Sequence, residues 1–228
     1  MSHSAPVSLW IFGFFVALFV VIIVWSILYA RKRSQDLAAA AQQMGFTFMG
    51  DAWHGPVLNP QFKTCLLQRT RGRPNNVMVG MSGSFEAIIF DYTYRAGKSS
   101  ITQTVACFSH KIPLPPFTLK PEGILDRIGD AIVHNDIDFD SHPGFSQRYA
   151  LKSPDEASTR RVFTPAVLTQ LEQIPSEAKW SVETSWINLF IFRAGRTVSP
   201  SSLATFHQQT SSIATVIFNS EGLKNSVA

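Results

Sequence analysis

Phe85–Tyr94 (FEAIIFDYTY) alternates, with Ile88, Phe90, Tyr92 and Tyr94 on one face and mostly β-branched or aromatic residues along the run. A period of two in such residues is the signature of a strand. Downstream, Ala96-Gly97-Lys98 supplies a turn, and Ile101–Cys107 resumes the alternation with Ile101, Val105 and Cys107 together. Upstream, Ser82-Gly83-Ser84 and the stretch Thr70–Asn75 (TRGRPN) are turn signals. Before them Phe62–Arg69 alternates again, with Phe62, Thr64, Leu66 and Gln68 facing one way and Lys63, Cys65 and Leu67 the other. The pattern predicts a four-strand antiparallel meander over residues 62–109.

Toward the amino terminus the chemistry changes completely. Residues 1–30 of the 228 contain no Asp, Glu, Lys or Arg, and within Val7–Ala30 only Ser8, Gly13 and Ser26 are not apolar. As a helix these 24 residues extend roughly 36 Å, enough to cross a hydrocarbon core of about 30 Å. A bilayer offers the backbone no water, and a helix satisfies its own hydrogen bonds. Trp10 at one end, and Trp25 and Tyr29 at the other, suit the two interfaces. A cleaved leader would need a basic region ahead of the apolar run, a shorter run and a small-residue cleavage site, none of which is present. Arg31-Lys32-Arg33 follows at once, whereas Met1–Pro6 has no charged side chain. The positive-inside rule places the amino terminus outside and the remaining body in the cytoplasm.

Beyond that collar, 17 basic residues face 16 acidic ones. A field so weak argues against a nucleic-acid partner. Ser34–Met44 (SQDLAAAAQQM) is a strong helix former with Leu37, Ala38, Ala41 and Met44 on one stripe, and Gly45 is a natural stop. It reads as a stalk connecting span to body. After the extended Leu114-Pro115-Pro116-Phe117, a helix is expected over Glu122–Ile132, then short strands at Asp136–Phe139 and Gln147–Leu151. Ser153-Pro154, Thr164-Pro165 and Ser199-Pro200 each place proline after a hydroxyl cap, a helix-start signal. The helix from Thr164 buries Val167, Leu168, Leu171 and Ile174, and that from Ser199 carries Leu203, Phe206, Ile213 and Ile217. Between them Trp180–Thr184 and Trp186–Arg193 form a hairpin. The fold class is therefore α+β, an antiparallel sheet with helices on one face behind one transmembrane helix. The expected units are a tail 1–6, the span 7–30, collar and stalk 31–45, the domain 46–218 and a tail 219–228.

Residue patterns that carry chemistry are sparse in this chain. Asp136, Asp138 and Asp140 alternate with Ile137 and Phe139, as on an edge strand with one wet face. A calcium loop would need glycine where Ser141 stands and glutamate where Gln147 stands. His134 and His142 are too few and too far apart for zinc. Cys65 and Cys107 have no C-x-x-C spacing, and Cys107 and His110, three apart on a strand, face opposite ways. Gly80-Met81-Ser82-Gly83 lacks the last glycine of a nucleophile elbow and sits in an expected hairpin. No catalytic, cofactor or metal residue is assigned. Arg69, Arg71 and Arg73 crowd one turn, and on an anchored domain they join Arg31, Lys32 and Arg33 as residues placed to touch anionic lipid.

The order of LAAAAQQMGF after a basic collar, then FDYTY, TQTV, LPPFTLKPEG, DIDF, GFSQRYALKSPDE and RRVFTPAV, resembles an uncharacterised bacterial family of single-span membrane proteins. The resemblance implies an anchored cytoplasmic α+β domain of unknown function and brings no catalytic residue with it. The reading that follows is a non-enzymatic, membrane-anchored binding domain with a protein partner that the residues do not identify. The rival reading is a membrane-bound, metal-dependent hydrolase or transferase using Asp136, Asp138 or Asp140. The orientation is directly testable. Protease added to intact spheroplasts is expected to spare the body and to digest it only after lysis; digestion before lysis would reverse the topology.

Overall fold

The structure is a computed structural model that describes residues 5–51, 72–122 and 136–224. It opens with α1 (Ala5–Gln43), 39 residues long. Among the described residues this is the one helix long and apolar enough to cross a membrane. From Trp10 to Lys32 its side chains are exposed, but Leu37 and Ala41 are buried in the core of the body. The helix stops at Gly45 (φ 76°), where Phe46 N–H donates to the Ala41 carbonyl (2.9 Å) and Gly45 N–H to that of Gln42 (3.0 Å). This is a Schellman closure, which uses a left-handed glycine to satisfy the last carbonyls.

The chain then builds one sheet from β1 (Thr47–Gly50), β2 (Arg73–Ser82), β3 (Phe85–Ala96), β4 (Ser99–Ser109), β5 (Thr118–Pro121), β6 (Tyr149–Lys152), β7 (Ser181–Ser185) and β8 (Asn188–Phe192). The order across the sheet is β1-β2-β3-β4-β8-β7-β5-β6, antiparallel at every pairing. Its helices are α2 (Pro143–Ser146), α3 (Glu156–Val162), α4 (Pro165–Glu172), α5 (Leu203–Phe218) and α6 (Glu221–Lys224).

Alternation sorts β3 and β4 between two apolar clusters. Ala87, Ile89, Ala106 and Phe108 join Leu37 and Ala41 of α1, Val167, Leu168 and Leu171 of α4, and Leu203, Phe206, Ile213 and Ile217 of α5. Ile88, Phe90, Tyr92, Tyr94, Val105 and Cys107 form the second cluster with Phe190 and Phe192. The helical residues of the core all belong to the first cluster. The sequence expectation of an α+β fold with helices on one face therefore holds, as do the faces assigned to β3 and to the last two helices.

Several details differ. Arg73, Pro74 and Asn75, expected in a turn, begin β2. Residues 136–139, expected as a strand, run extended beside the edge strand β6 with Ile137 N–H donating to the Leu151 carbonyl (2.8 Å). Ser153 does not cap α3: its hydroxyl donates to the Pro116 carbonyl (2.7 Å), and Asp155 caps instead by accepting from Ser158 N–H (3.0 Å). After Ser199-Pro200 one 3-10 turn, Pro200–Ser202, precedes α5. The stalk is no free connector, since Leu37 and Ala41 are 1% and 0% exposed, and at the other end Leu223 of the expected tail is buried. The expected strand Phe62–Arg69 and most of the expected helix Glu122–Ile132 lie outside the described residues.

Behind α1 the Phe46 ring fills the space over Gly80, where a Cβ would sit 2.7 Å from it. On the other side Phe46 meets the His207 ring edge-on at 5.1 Å, and among the described residues buried His207 Nε2 has no hydrogen-bond partner. Burial pushes the His207 pKa down. Between the unfolded value, about 6.5, and the lower folded one, the unfolded chain binds a proton that the folded chain refuses. Stability is therefore expected to fall as pH drops through that window. His207→Leu should flatten this part of the profile in denaturant melts taken from neutral to mildly acidic pH. An unchanged slope would assign the titration elsewhere.

Candidate functional site

Two arrangements stand out, one where α1 enters the body and one on the helical face of the sheet. At the first, Asp91 lies on the helix-covered face of β3, in line with Ala87 and Ile89, and is 4% exposed. An ionised carboxylate in that position requires partners. Arg33 Nη2 stands 2.9 Å from Asp91 Oδ2 and also donates to the Val198 carbonyl (3.0 Å). Thr104 Oγ1 donates to Asp91 Oδ1 (2.6 Å) and itself accepts from Val198 N–H (2.8 Å). Asn76 Nδ2 completes the set at 3.0 Å. Asn76 has φ 51° and lies in the interval between Asn75 and Met78 where the β2–β3 register shifts. A bulge re-aims a side chain in this way.

The residues expected at a lipid surface thus divide. Arg31 and Lys32 are exposed, as is Arg73 at the start of β2. Arg33 turns inward to Asp91. Arg69 and Arg71 lie outside the described residues. The sequence reading missed Asp91, although a signal was present: an acid on an otherwise apolar strand face, in a chain with a basic collar.

The second arrangement is a cleft of about 620 Å³ between α4, α5 and the turn at Ser176–Ala178. Ile174, Trp180, Ile213 and Val216 give it an apolar floor, and Gln173, Glu177, Arg193 and Gln209 give it polar walls. The Arg193 guanidinium lies 4.7 Å from the centre of the Trp180 ring, a cation–π contact. Among the described residues that guanidinium has no carboxylate or hydrogen-bonding partner. Burial, then the charge of Arg196, pushes its pKa below the ordinary value. A partly desolvated cation over an apolar floor suits an anionic or carboxyl-bearing group on an apolar body.

The other sequence candidates that fall among the described residues are accounted for by packing and surface pairing. Asp136, Asp138 and Asp140 are exposed while Ile137 and Phe139 are buried. Asp136 pairs with Lys152 (3.5 Å), and Arg160 holds the segment through the Asp138 carbonyl (3.0 Å) and the Phe139 ring. Among the described residues no three His, Cys, Asp or Glu side chains cluster closely enough for a metal ion. Cys107 is buried in the second cluster, and burial pushes its thiol well up. His110 stacks instead on Phe218 of the first cluster (4.8 Å). Gly80 and Ser82 belong to β2, and Gly83 (φ 60°) begins the β2–β3 turn, not a strand-to-helix elbow. Cys65 and His134 lie outside the described residues.

Among solved structures the chain is similar to the crystal structure of the mycobacterial trehalose monomycolate transport factor A, TtfA. The TM-score is 0.55 at 14% sequence identity, covering 82% of this chain and 97% of that one. At that identity the likeness is one of fold. No family model matches the chain, and no curated protein does.

Removing Arg33 strands a buried carboxylate, and hydrogen bonds to charged groups contribute about 1.5–3 kcal/mol each. Arg33→Ala is expected to destabilise the full-length chain in detergent by about 1–3 kcal/mol, read by urea unfolding. Combining it with Asp91→Asn should cost less than the sum of the single changes by at least about 0.5 kcal/mol. Additive losses would mean that the pair carries no coupling.

Proposed function

We propose that this protein is a non-enzymatic, membrane-anchored factor of a bacterial transport assembly. Residues 7–30 cross the cell membrane, the body stands in the cytoplasm, and the body binds a protein partner beside the bilayer. The observation that carries the reading is the junction of α1 with the body. An anchor that only raised local concentration would work through a loose tether. Here Arg33, Leu37, Ala41 and Phe46 fasten the helix to the sheet, so the body is held at a set orientation to the membrane.

The fold adds support. TtfA is by its name a transport factor; this chain resembles it in fold and carries an apolar amino-terminal helix of its own. The Trp180–Arg193 cleft supplies the binding side. It suits a partner segment that brings an apolar side chain and a carboxylate, the latter to meet Arg193. The Asp136–Asp140 segment takes no part in lining that cleft, and its contacts with Lys152 and Arg160 favour a structural role for these acids over the hydrolase reading.

A photo-reactive amino acid at Gln209, on the cleft wall, is expected to crosslink in intact cells to a protein of the membrane fraction. Arg193→Ala should reduce that yield at least fivefold without lowering the amount of chain in the membrane. The same probe at Glu156 on α3 should give no such product. Equal crosslinking from both positions, or a product indifferent to Arg193, would count against the cleft as the partner site.

A further inference from the structure

The β3–β4 hairpin extends past the point where α1 joins the body, and the direction of that extension follows from two contacts. Near the end of α1, Phe46 packs over Gly80, whose partner on β3 is Ala87. Nearer the apolar run, Arg33 meets Asp91. Moving along β3 from residue 87 to residue 91 is therefore moving along α1 toward its apolar segment. β3 continues the same way to Ala96, and the chain turns at Gly97 (φ 62°) and Lys98 before β4 returns.

The reach decides what the tip meets. Gly97 lies six positions beyond Asp91, about 20 Å at roughly 3.3 Å per residue. Three residues separate Arg33 from Ala30, the last of the apolar run, about 4.5 Å along a helix. Unless β3 lies almost flat to the membrane plane, the tip arrives at the level of the lipid head groups.

Its composition fits that level. Arg95, Gly97, Lys98, Ser99 and Ser100 are all exposed. Exposed Arg31 and Lys32 stand on the neighbouring helix, and exposed Arg73 lies on β2, whose pairing partner on β3 is Thr93. Arg196 is close by, its carbonyl accepting from Thr104 N–H (3.0 Å). The sequence holds no acid between Asp91 and Glu122, and none between Glu183 and Glu221. Exposed Asp136, Asp138 and Asp140 lie instead beside β6, the far edge of the sheet from β1. An end whose exposed charges are basic, pointed at a membrane, attracts anionic lipid over a Debye length of about 8 Å at physiological salt.

We infer that the β3–β4 hairpin, Arg95–Ser100, rests on anionic lipid head groups and forms a second point of membrane contact beside α1. The inference builds on the reading of residues 7–30 as a membrane span, and the test separates the two. The full-length chain carrying Cys65→Ser and Ser99→Cys is labelled with nitrobenzoxadiazole and reconstituted in liposomes of phosphatidylcholine alone or rich in phosphatidylglycerol. Cys107 is retained because it is buried. The expected result is a blue shift on the phosphatidylglycerol liposomes, with quenching by head-group spin-labelled lipid. Arg95→Glu with Lys98→Glu should abolish the shift, while a label at Ser141→Cys beside β6 should show none. A label at position 99 that stays fully hydrated in chains that float with carbonate-washed liposomes would overturn the hairpin contact and leave the anchor standing. An equal shift on phosphatidylcholine alone, or one that survives the charge reversals, would overturn the contact with anionic lipid. Loss of the chain from carbonate-washed liposomes would overturn the span, and the inference with it.

Discussion

A carboxylate that is 4% exposed on the inner face of a sheet must have its charge met, and Asp91 meets it with an arginine from the end of the apolar helix. Removing one member of a buried pair leaves the other uncompensated, which costs more than most single contacts return. The body therefore cannot release α1 without exposing or neutralising Asp91. Thr104 and Asn76 add hydrogen bonds from β4 and β2, so three neighbouring strands converge on the same carboxylate. Val198 joins through both its carbonyl to Arg33 and its N–H to Thr104, which fixes the approach to α5.

The rest of the helical face follows from that fixed point. With Arg33 set, the stripe of Leu37 and Ala41 lies against the sheet, and the glycine closure at Gly45 turns Phe46 down onto Gly80. Any side chain at position 80 would push that ring away, since its Cβ would stand 2.7 Å from it. Phe46 then meets His207, and farther along α5 Ser211 meets Ser82 at 2.6 Å between hydroxyl oxygens. The last third of the chain is thus aligned to a helix that begins the sequence. The Trp180–Arg193 cleft opens on another side of α5, lined by Gln209, Ser212 and Val216.

Local patterns in the sequence carried the elements whose physics is local. The alternation in Phe85–Tyr94 placed four residues on the correct face, and Thr164-Pro165 marked the start of α4, where Thr164 caps Val167 N–H. Asp155 competed successfully with Ser153 because its carboxylate reaches Ser158 N–H, while the Ser153 hydroxyl is drawn to the Pro116 carbonyl. What remained hidden depends on distance along the chain. Arg33 and Asp91 are 58 residues apart, and the cleft gathers residues from positions 170 to 216. An arginine stacked on a tryptophan obeys no spacing rule. β1 and β5 have four residues each, too short for periodicity to register, and their place in the sheet is set by partners. Leu37 and Ala41 looked like one stripe of a stalk because composition does not reveal whether an apolar stripe has a surface to meet.

A likeness of fold to TtfA at 14% identity carries no side-chain chemistry with it, so the proposed role rests on the architecture of this chain. The architecture here makes orientation its product. A domain on a flexible tether samples all directions, and each binding face is then presented for only part of the time. Fastening α1 through Arg33 removes that freedom before a partner arrives, and pre-organisation lowers the ordering cost of association. Such a device suits a protein that must offer a cleft to a neighbour embedded in the same membrane. It is less useful to a soluble-substrate enzyme, whose small ligand reaches the site from any direction. The fixed junction is the observation on which the proposal of a component that works by placement rests.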